Sequence, residues 1–130
     1  VDKVAAAFEP GNHASTFGGN PLVTAVACKV TEIVSKEGFL KQVEKMGDYL
    51  GEKLLALKDP RIVQFRSRGL IQGLEFEREV KDLVGICMKK GLLLVNAGPN
   101  VLRFVPPLTV NEIEINGAAA ILKQALQEWE

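Results

Sequence analysis

Two stretches of this 130-residue sequence carry residue types that could bind an anion. The first runs from Ser15 to Pro21 and joins two hydroxyls, two glycines and Asn20 to a strongly apolar run. Asn20 is a favoured helix N-cap and Pro21 a favoured first helical residue. Because the first amides of a helix lack internal partners, the pattern predicts a phosphate site beside Ser15 and Thr16. The alternative is a tight turn before a capped helix, with no ligand.

The second stretch is the segment 101–105, in which Arg103 alternates with apolar neighbours. A strand here would place Arg103 on one face together with Val101 and Val105. A guanidinium among apolar side chains needs a partner, and a carboxylate that accepts two hydrogen bonds fits best. That partner could be the carboxylate of a substrate or an internal glutamate, and the sequence leaves both open.

The other chemically capable side chains indicate less. His13 is the only histidine and stands apart from metal-ligand spacings, so we predict no metal site and no self-contained Ser-His or Cys-His hydrolase. Cys28 and Cys87 lack a Cys-x-x-Cys spacing and are expected to be reduced, buried thiols. Arg66 and Arg68 flank a turn and are expected to be solvated or salt-bridged.

Composition limits the class of protein. With 47% hydrophobic and 25% charged residues, the chain is typical of a globular domain. Its 16 basic and 16 acidic residues cancel, which argues against a nucleic-acid partner. No apolar run reaches the ~18 residues that span a membrane, and no signal peptide is evident, so a cytoplasmic protein is expected. Because the sequence lacks an initiator Met, we expect it to belong to a longer parent.

The elements that must position these residues follow from periodicity. We predict helices over about 21–36, 39–57 and 80–89, the first buried on several sides by this chain or by a partner chain, and strands over 62–65, 70–76, 92–95 and 101–105. A last helix starts after Asn111, with Glu114 completing a capping box and Val110 and Ile115 at hydrophobic-staple spacing. The order predicts an α/β (α+β) sandwich with helices packed on a three- to four-stranded, mostly antiparallel sheet.

Three stretches taken together resemble the class III (ornithine-type) pyridoxal-phosphate aminotransferases. The segment 13–22 (HASTFGGNPL) is similar to the one that follows the family's cofactor lysine. The segment 66–75 (RSRGLIQGLE) resembles the family's RGxGLMxGxE stretch, and 91–108 resembles its C-terminal signature. The resemblance covers nearly the whole chain, in order and at sensible separations.

This resemblance implies a role for three residues. Thr16 matches the threonine that binds the phosphate of pyridoxal 5'-phosphate across the dimer interface. Ser15 matches the neighbouring residue assigned to N-acetylornithine, and Arg103 matches the arginine that faces a substrate carboxylate. The family's Schiff-base lysine, its aspartate for the pyridine nitrogen and its glycine-rich phosphate loop have no counterpart here, so no catalytic residue is assigned in this chain.

The resemblance also implies an organisation and an activity. Residues 1–20 would form the crossover loop for the cofactor phosphate and an entry arm, and 21–130 the small C-terminal domain of a fold-type I transferase. The homodimeric parent would transfer the δ-amino group of N-acetylornithine to 2-oxoglutarate in arginine biosynthesis, while the chain alone would be inactive. Ornithine, succinylornithine or 4-aminobutyrate as amine donor, or a non-catalytic anion-binding module, are the alternatives.

Overall fold

A computed structural model of the chain describes residues 2–9 and 11–130, so Val1 and Pro10 of the predicted entry arm lie outside the described residues. The chain divides into two compact units, one ending at Lys36 and the other spanning Glu37–Glu130. The first unit holds helices α1 (Asp2–Ala5) and α2 (Pro21–Val34). The second holds helices α3 (Glu37–Leu55), α4 (Lys81–Lys89) and α5 (Glu112–Glu128), and strands β1 (Ile62–Arg68), β2 (Ile71–Phe76), β3 (Val95–Asn96) and β4 (Val101–Phe104). No helix among the described residues is both long and apolar enough to cross a membrane.

The four strands form one antiparallel sheet in the order β1-β2-β4-β3, as the predicted fold class requires. Alternation along β4 sends Leu102 and Phe104 into the core and leaves Arg103 on the opposite face. The helices of the second unit supply the other wall of this core, which includes Met46, Leu50 and Leu54 from α3, Leu83 and Cys87 from α4, and Leu122 and Leu126 from α5. One face of the sheet is therefore covered by helices, and the other carries Arg103.

The predicted capping box of α5 is confirmed. Asn111 Oδ1 accepts hydrogen bonds from the amides of Ile113 and Glu114 at 2.9 and 3.0 Å, and the Asn111 amide donates to Glu114 Oε2 at 2.9 Å. Val110 and Ile115, at the staple positions, both belong to the buried core. Local side-chain chemistry thus determines where the last helix begins.

Helix α3 approaches the turn between β1 and β2 closely, because two glycines meet there. A Cβ on Gly47 would lie 2.7 Å from the carbonyl carbon and oxygen of Gly69. The buried Gln72 side chain spans the contact, with Nε2 donating to Gly47 O at 2.6 Å and to Gly69 O at 2.9 Å. This contact fixes the β1–β2 hairpin, which carries Arg66 and Arg68.

Burial of helix α2 and of the two cysteines was predicted from the sequence. For α2 the prediction was burial on several sides, by this chain or by a partner chain. Within its own unit none of its residues is buried, and its large apolar side chains, Leu22, Val23, Val26, Val30 and Ile33, are 42–74% exposed. Burial of α2 by a partner chain stays a prediction. Cys28 lies on this helix and is exposed, so its predicted burial was wrong, whereas Cys87 on α4 is buried as predicted.

The predicted strand over 92–95 was also largely wrong. Residues 92–94 have no regular structure, and β3 pairs with β4 only at Val95 and Asn96. Leu92 and Leu94 pack against the core while Leu93 is 79% exposed. The leucines alternate between the core and solvent as they would in a strand. They lack the ladder of backbone hydrogen bonds that defines a strand.

Candidate anion-binding site

The Ser15–Pro21 loop has the backbone that its glycines predict. Ser15 Oγ accepts a hydrogen bond from the Gly18 amide at 2.8 Å, and a Cβ on Gly18 would lie 2.7 Å from that oxygen. Gly19 has φ +77°, a conformation that favours glycine. Asn20 caps α2 as predicted, with Oδ1 accepting from the Val23 amide at 3.0 Å. The loop is therefore a shaped turn that leads into a capped helix.

The two hydroxyls of this turn are exposed. The Ser15 oxygen accepts from Gly18, which leaves its proton free to donate outward. The Thr16 hydroxyl and amide have no hydrogen-bond partner among residues 2–9 and 11–130. Phosphate oxygens accept hydrogen bonds from such hydroxyls and backbone amides. The donor set of this turn accordingly fits a phosphate group.

Arg103 lies on the open face of the sheet, with Val101 and Val105 as its neighbours on the same face, as predicted. Its side chain is exposed and forms no ion pair or hydrogen bond with any residue that the structure describes. The internal glutamate that the sequence allowed as a partner is therefore not observed among those residues. The guanidinium is available to a carboxylate from outside the described chain.

The sequence did not predict that Arg66 and Arg68 lie near Arg103 on the same face of the sheet. Strand register places Arg66 opposite Gly73, and Gly73 opposite Arg103, in one row across β1, β2 and β4. Arg66 forms an ion pair with Glu75, and Arg68 follows it on the same face of β1. The three arginines line one open cavity of about 300 Å³. Alternation along β1 indicates that Arg66 and Arg68 share one face of that strand. Only the register of the strands shows that this face is also the face of Arg103.

The perturbed titratable groups lie elsewhere in this unit. The Arg61 guanidinium donates to Asp59 at 2.7–2.9 Å and, chiefly through these hydrogen bonds, holds the pKa of that carboxyl below its usual value. Burial raises the pKa of the Cys87 thiol to about 11. His13 lies in an exposed loop, and the described part of the chain holds no group of three or more potential metal ligands among His, Cys, Asp and Glu. The Asp59–Arg61 pair stabilises the fold, and the buried Cys87 thiol is inert. The candidate site consists instead of fixed charges and hydroxyl groups.

Ser15 and Thr16 thus belong to the unit that ends at Lys36, and Arg103 belongs to the other unit. Solved structures of aminotransferases, one of them described with pyridoxal phosphate at its active site, share the fold of this chain. The sequence matches the family model described as "Aminotransferase class-III" over residues 1–126. The chain belongs to the class III aminotransferase family, whose cofactor is pyridoxal phosphate.

Relatives with curated names and solved structures agree with this assignment. Acetylornithine aminotransferase of Nostoc sp. is 45% identical over 126 residues, which cover 92% of this chain and 30% of that protein. The Bacillus subtilis protein of the same name is 44% identical over 121 residues, covering 92% of this chain and 31% of that protein. The crystal structure of acetylornithine aminotransferase from Elizabethkingia anophelis is 27% identical, with a TM-score of 0.77 over 98% of this chain and 35% of that one.

Similarity extends to aminotransferases with other names. Lysine aminotransferase from M. tuberculosis, in its internal aldimine form, is 30% identical, with a TM-score of 0.79 over 98% of this chain and 31% of that one. This chain spans about a third of the length of the curated relatives that it matches, between 28% and 33%.

Proposed function

We propose that this chain is the C-terminal part of an acetylornithine aminotransferase, which transfers the δ-amino group of N-acetylornithine to 2-oxoglutarate in arginine biosynthesis. The carrying observation is the 45% identity to relatives of that name along nearly the whole chain. Residues 1–20 serve as the crossover loop for the cofactor phosphate and 21–130 as the small domain.

Thr16 is the proposed cofactor-binding residue. Its hydroxyl and amide have no partner among the described residues, and both can donate to phosphate oxygens. The adjacent turn is shaped by Gly18 and Gly19, so Thr16 is presented without a cost in backbone strain. Pyridoxal phosphate, when bound, supplies the electron sink for amino-group transfer. Thr16 holds its phosphate and performs no proton transfer.

Ser15 and Arg103 are the proposed substrate-binding residues. The Ser15 hydroxyl keeps a proton to donate to the amine substrate, because its oxygen accepts from Gly18. Arg103 donates two parallel hydrogen bonds to a substrate carboxylate, which a planar guanidinium matches better than a lysine ammonium does. Both residues orient substrates, and the chemistry itself requires a lysine that this chain does not supply at a family motif.

The assembly and location are part of the same proposal. The exposed apolar side chains of α2 support an interaction surface on this helix. The partner subunit of a homodimer, or another domain of the same chain, would cover it. The free thiols of Cys28 and Cys87 are consistent with a cytoplasmic location. The same anion-binding groups would serve a class III enzyme with ornithine, succinylornithine or 4-aminobutyrate as donor, or a non-catalytic binding module.

Steady-state kinetics of the full-length protein that contains this chain test the proposal. Arg103→Ala removes one charge-assisted carboxylate contact, so KM for 2-oxoglutarate should rise about ten- to hundred-fold. Lys123→Ala is the matched control, because it removes an exposed cation from α5 that has no ion pair within the described chain. Unchanged KM for 2-oxoglutarate in Arg103→Ala would remove this arginine from the proposed site.

The cofactor role has its own readout. Thr16→Ala should weaken retention of pyridoxal phosphate during dialysis, whereas Thr31→Ala, an exposed hydroxyl that bonds only within α2, should not. The 130-residue chain alone is expected to transfer no amino group and to give no borohydride-stable adduct with pyridoxal phosphate. Such an adduct at one defined lysine would contradict the proposed inactivity.

A further inference from the structure

A buried amide oxygen lies without a partner between α3 and the β1–β2 hairpin. Gln72 is 2% exposed, and its Nε2 donates to the carbonyl oxygens of Gly47 and Gly69 at 2.6 and 2.9 Å. Its Oε1 accepts no hydrogen bond from any residue that the structure describes. Because a buried acceptor without a donor destabilises a fold, this oxygen points to a donor from outside the chain.

Gln72 lines a cavity of about 380 Å³ between α3 and the hairpin, a volume within the range of small-molecule pockets. Gly51 of α3 borders this cavity beside the unpartnered oxygen. A Cβ on Gly51 would lie 3.7 Å from Gln72 Oε1 and 3.3 Å from Phe65 Cζ. Because glycine has no side chain, the space between the helix, the Phe65 ring and Oε1 is left unfilled.

The rim of the same cavity is acidic. Asp48 and Glu52 lie four residues apart on α3, both line the cavity, and both are exposed. Neither carboxylate forms an ion pair or hydrogen bond with any of the residues described here. The lysines nearest to them in the sequence are engaged elsewhere, since Lys45 pairs with Glu112 and Lys53 lies over an aromatic ring. Like charges at this helical spacing repel, so a cation in the cavity would stabilise them.

The chemistry of the lining favours a cation that carries N–H donors. A primary ammonium has three donors and can serve a buried amide oxygen and carboxylates together. Phe65 and Leu55 also line the cavity, and offer a ring face to the charge and apolar contact to methylene groups. A metal ion fits less well, because the described residues hold no group of three or more potential ligands among His, Cys, Asp and Glu.

We infer that this cavity binds a primary ammonium group on a short aliphatic chain, with Gln72 Oε1 as its buried acceptor and Asp48 and Glu52 as its charge partners. The site goes beyond the proposed function and does not depend on it. Gln72 is in register with Phe104 on the helix-covered face of the sheet, whereas Arg103 lies on the opposite face.

Titration of the 130-residue chain with butylammonium and tetramethylammonium chloride tests this site. Both ligands are monovalent cations, but only butylammonium has N–H groups to donate. The signals are the Gln72 side-chain amide cross-peaks in 1H–15N spectra, because an amide responds when its oxygen accepts a hydrogen bond. The wild type should bind butylammonium about ten-fold more tightly than tetramethylammonium, the effect of one hydrogen bond to a charged group.

Three variants locate the binding groups. Gly51→Ala places a methyl group in the space beside Oε1 and should abolish the preference for butylammonium. Gly38→Ala is the matched control on the same helix, because a Cβ there meets nothing within 4 Å, and it should keep the preference. Glu52→Gln removes an exposed carboxylate from the rim and should weaken butylammonium binding about two- to five-fold, the range of one exposed ion pair.

The outcomes that would overturn the inference are distinct. Equal affinity of the wild type for the two cations, or no binding, would mean that the acidic rim attracts cations without a site. A preference that survives in Gly51→Ala would exclude Oε1 as the acceptor, and unchanged affinity in Glu52→Gln would exclude that charge partner.

N-acetyl-lysine N-methylamide distinguishes two sources of the same ammonium group. Tighter binding than butylammonium would assign the site to a lysine side chain, and weaker binding would assign it to a free amine; either result supports an ammonium site. None of these measurements involves Arg103 or Thr16, so their failure would leave the proposed function unaffected.

Discussion

The contact between α3 and the β1–β2 turn makes a sharp prediction about one glycine. Gly47→Ala adds a methyl group that would lie 2.7 Å from backbone atoms of Gly69, where ordinary contacts are 3.4 Å or longer. The obstruction is backbone on both sides, so no flexible side chain can move away. The helix or the hairpin must shift, and such a shift lengthens the two hydrogen bonds that Gln72 donates.

The expected magnitude follows from opposing terms. Replacing glycine by alanine inside a helix stabilises it by about 1 kcal/mol. Overpacking a closed contact costs about 1–3 kcal/mol, and each weakened hydrogen bond costs about 0.5–1.5 kcal/mol. The unfavourable terms are larger, so we expect Gly47→Ala to lower the free energy of unfolding by about 1–5 kcal/mol.

Urea denaturation followed by Trp129 fluorescence measures this effect, because Trp129 is buried in the core and is the only tryptophan. Gly117→Ala is the matched control, since a Cβ there meets nothing within 4 Å in the exposed middle of α5. The control should raise the free energy of unfolding by about 0.5–1 kcal/mol. A Gly47→Ala chain as stable as the wild type, or more stable, would refute the packing argument.

Three further predictions address capping, protonation and thiol reactivity. Asn111→Ala removes the capping box of α5 and should cost about 1 kcal/mol in urea denaturation; no loss would mean that the cap does not stabilise the helix. In the folded chain the pKa of Asp59 lies below its ordinary 3.8. Its contribution to the free energy of unfolding is therefore present above about pH 4 and is lost as the pH falls through the folded pKa. The free energy of unfolding of the wild type should therefore be about 1–2 kcal/mol larger than that of Asp59→Asn at pH 7, and the two values should converge in acid. A constant difference from about pH 7 to about pH 2 would contradict the assignment. At pH 8 a thiol reagent should modify Cys28 rapidly and Cys87 only after denaturation, because the Cys87 thiol is buried with a pKa of about 11; two equally fast reactions would exclude this burial.

The helices were the most predictable part of this protein because their signals are local. Asn20 and Asn111 cap α2 and α5 through atoms three residues away or fewer, so the residue types alone determine where the helices begin. The buried residues Ile115, Leu122 and Leu126 of α5 recur at helical periodicity, which is also a local signal. The strand predicted over 92–95 was largely wrong because leucines can alternate between buried and exposed positions without a partner strand.

The candidate site depended on contacts that no local pattern contains. Ser15, Thr16 and Arg103 could be identified from residue types and a family resemblance, but the absence of a described internal partner for Arg103 is a property of the folded chain. The register of β1, β2 and β4 brings Arg66, Gly73 and Arg103 into one row, although Arg103 is far from the other two in the sequence.

Local signals along the chain were enough to predict the starts of α2 and α5, the antiparallel α/β class and the family, because caps, periodicity and motif order are properties of neighbouring residues. Which cations form ion pairs, and which apolar side chains are buried, depends on the folded chain. Glu75 neutralises Arg66 and leaves Arg68 and Arg103 uncompensated among the described residues, and α2 keeps its apolar side chains exposed. Ion pairing and burial are interactions between distant residues, and their outcome is set when the strands pair and the helices pack.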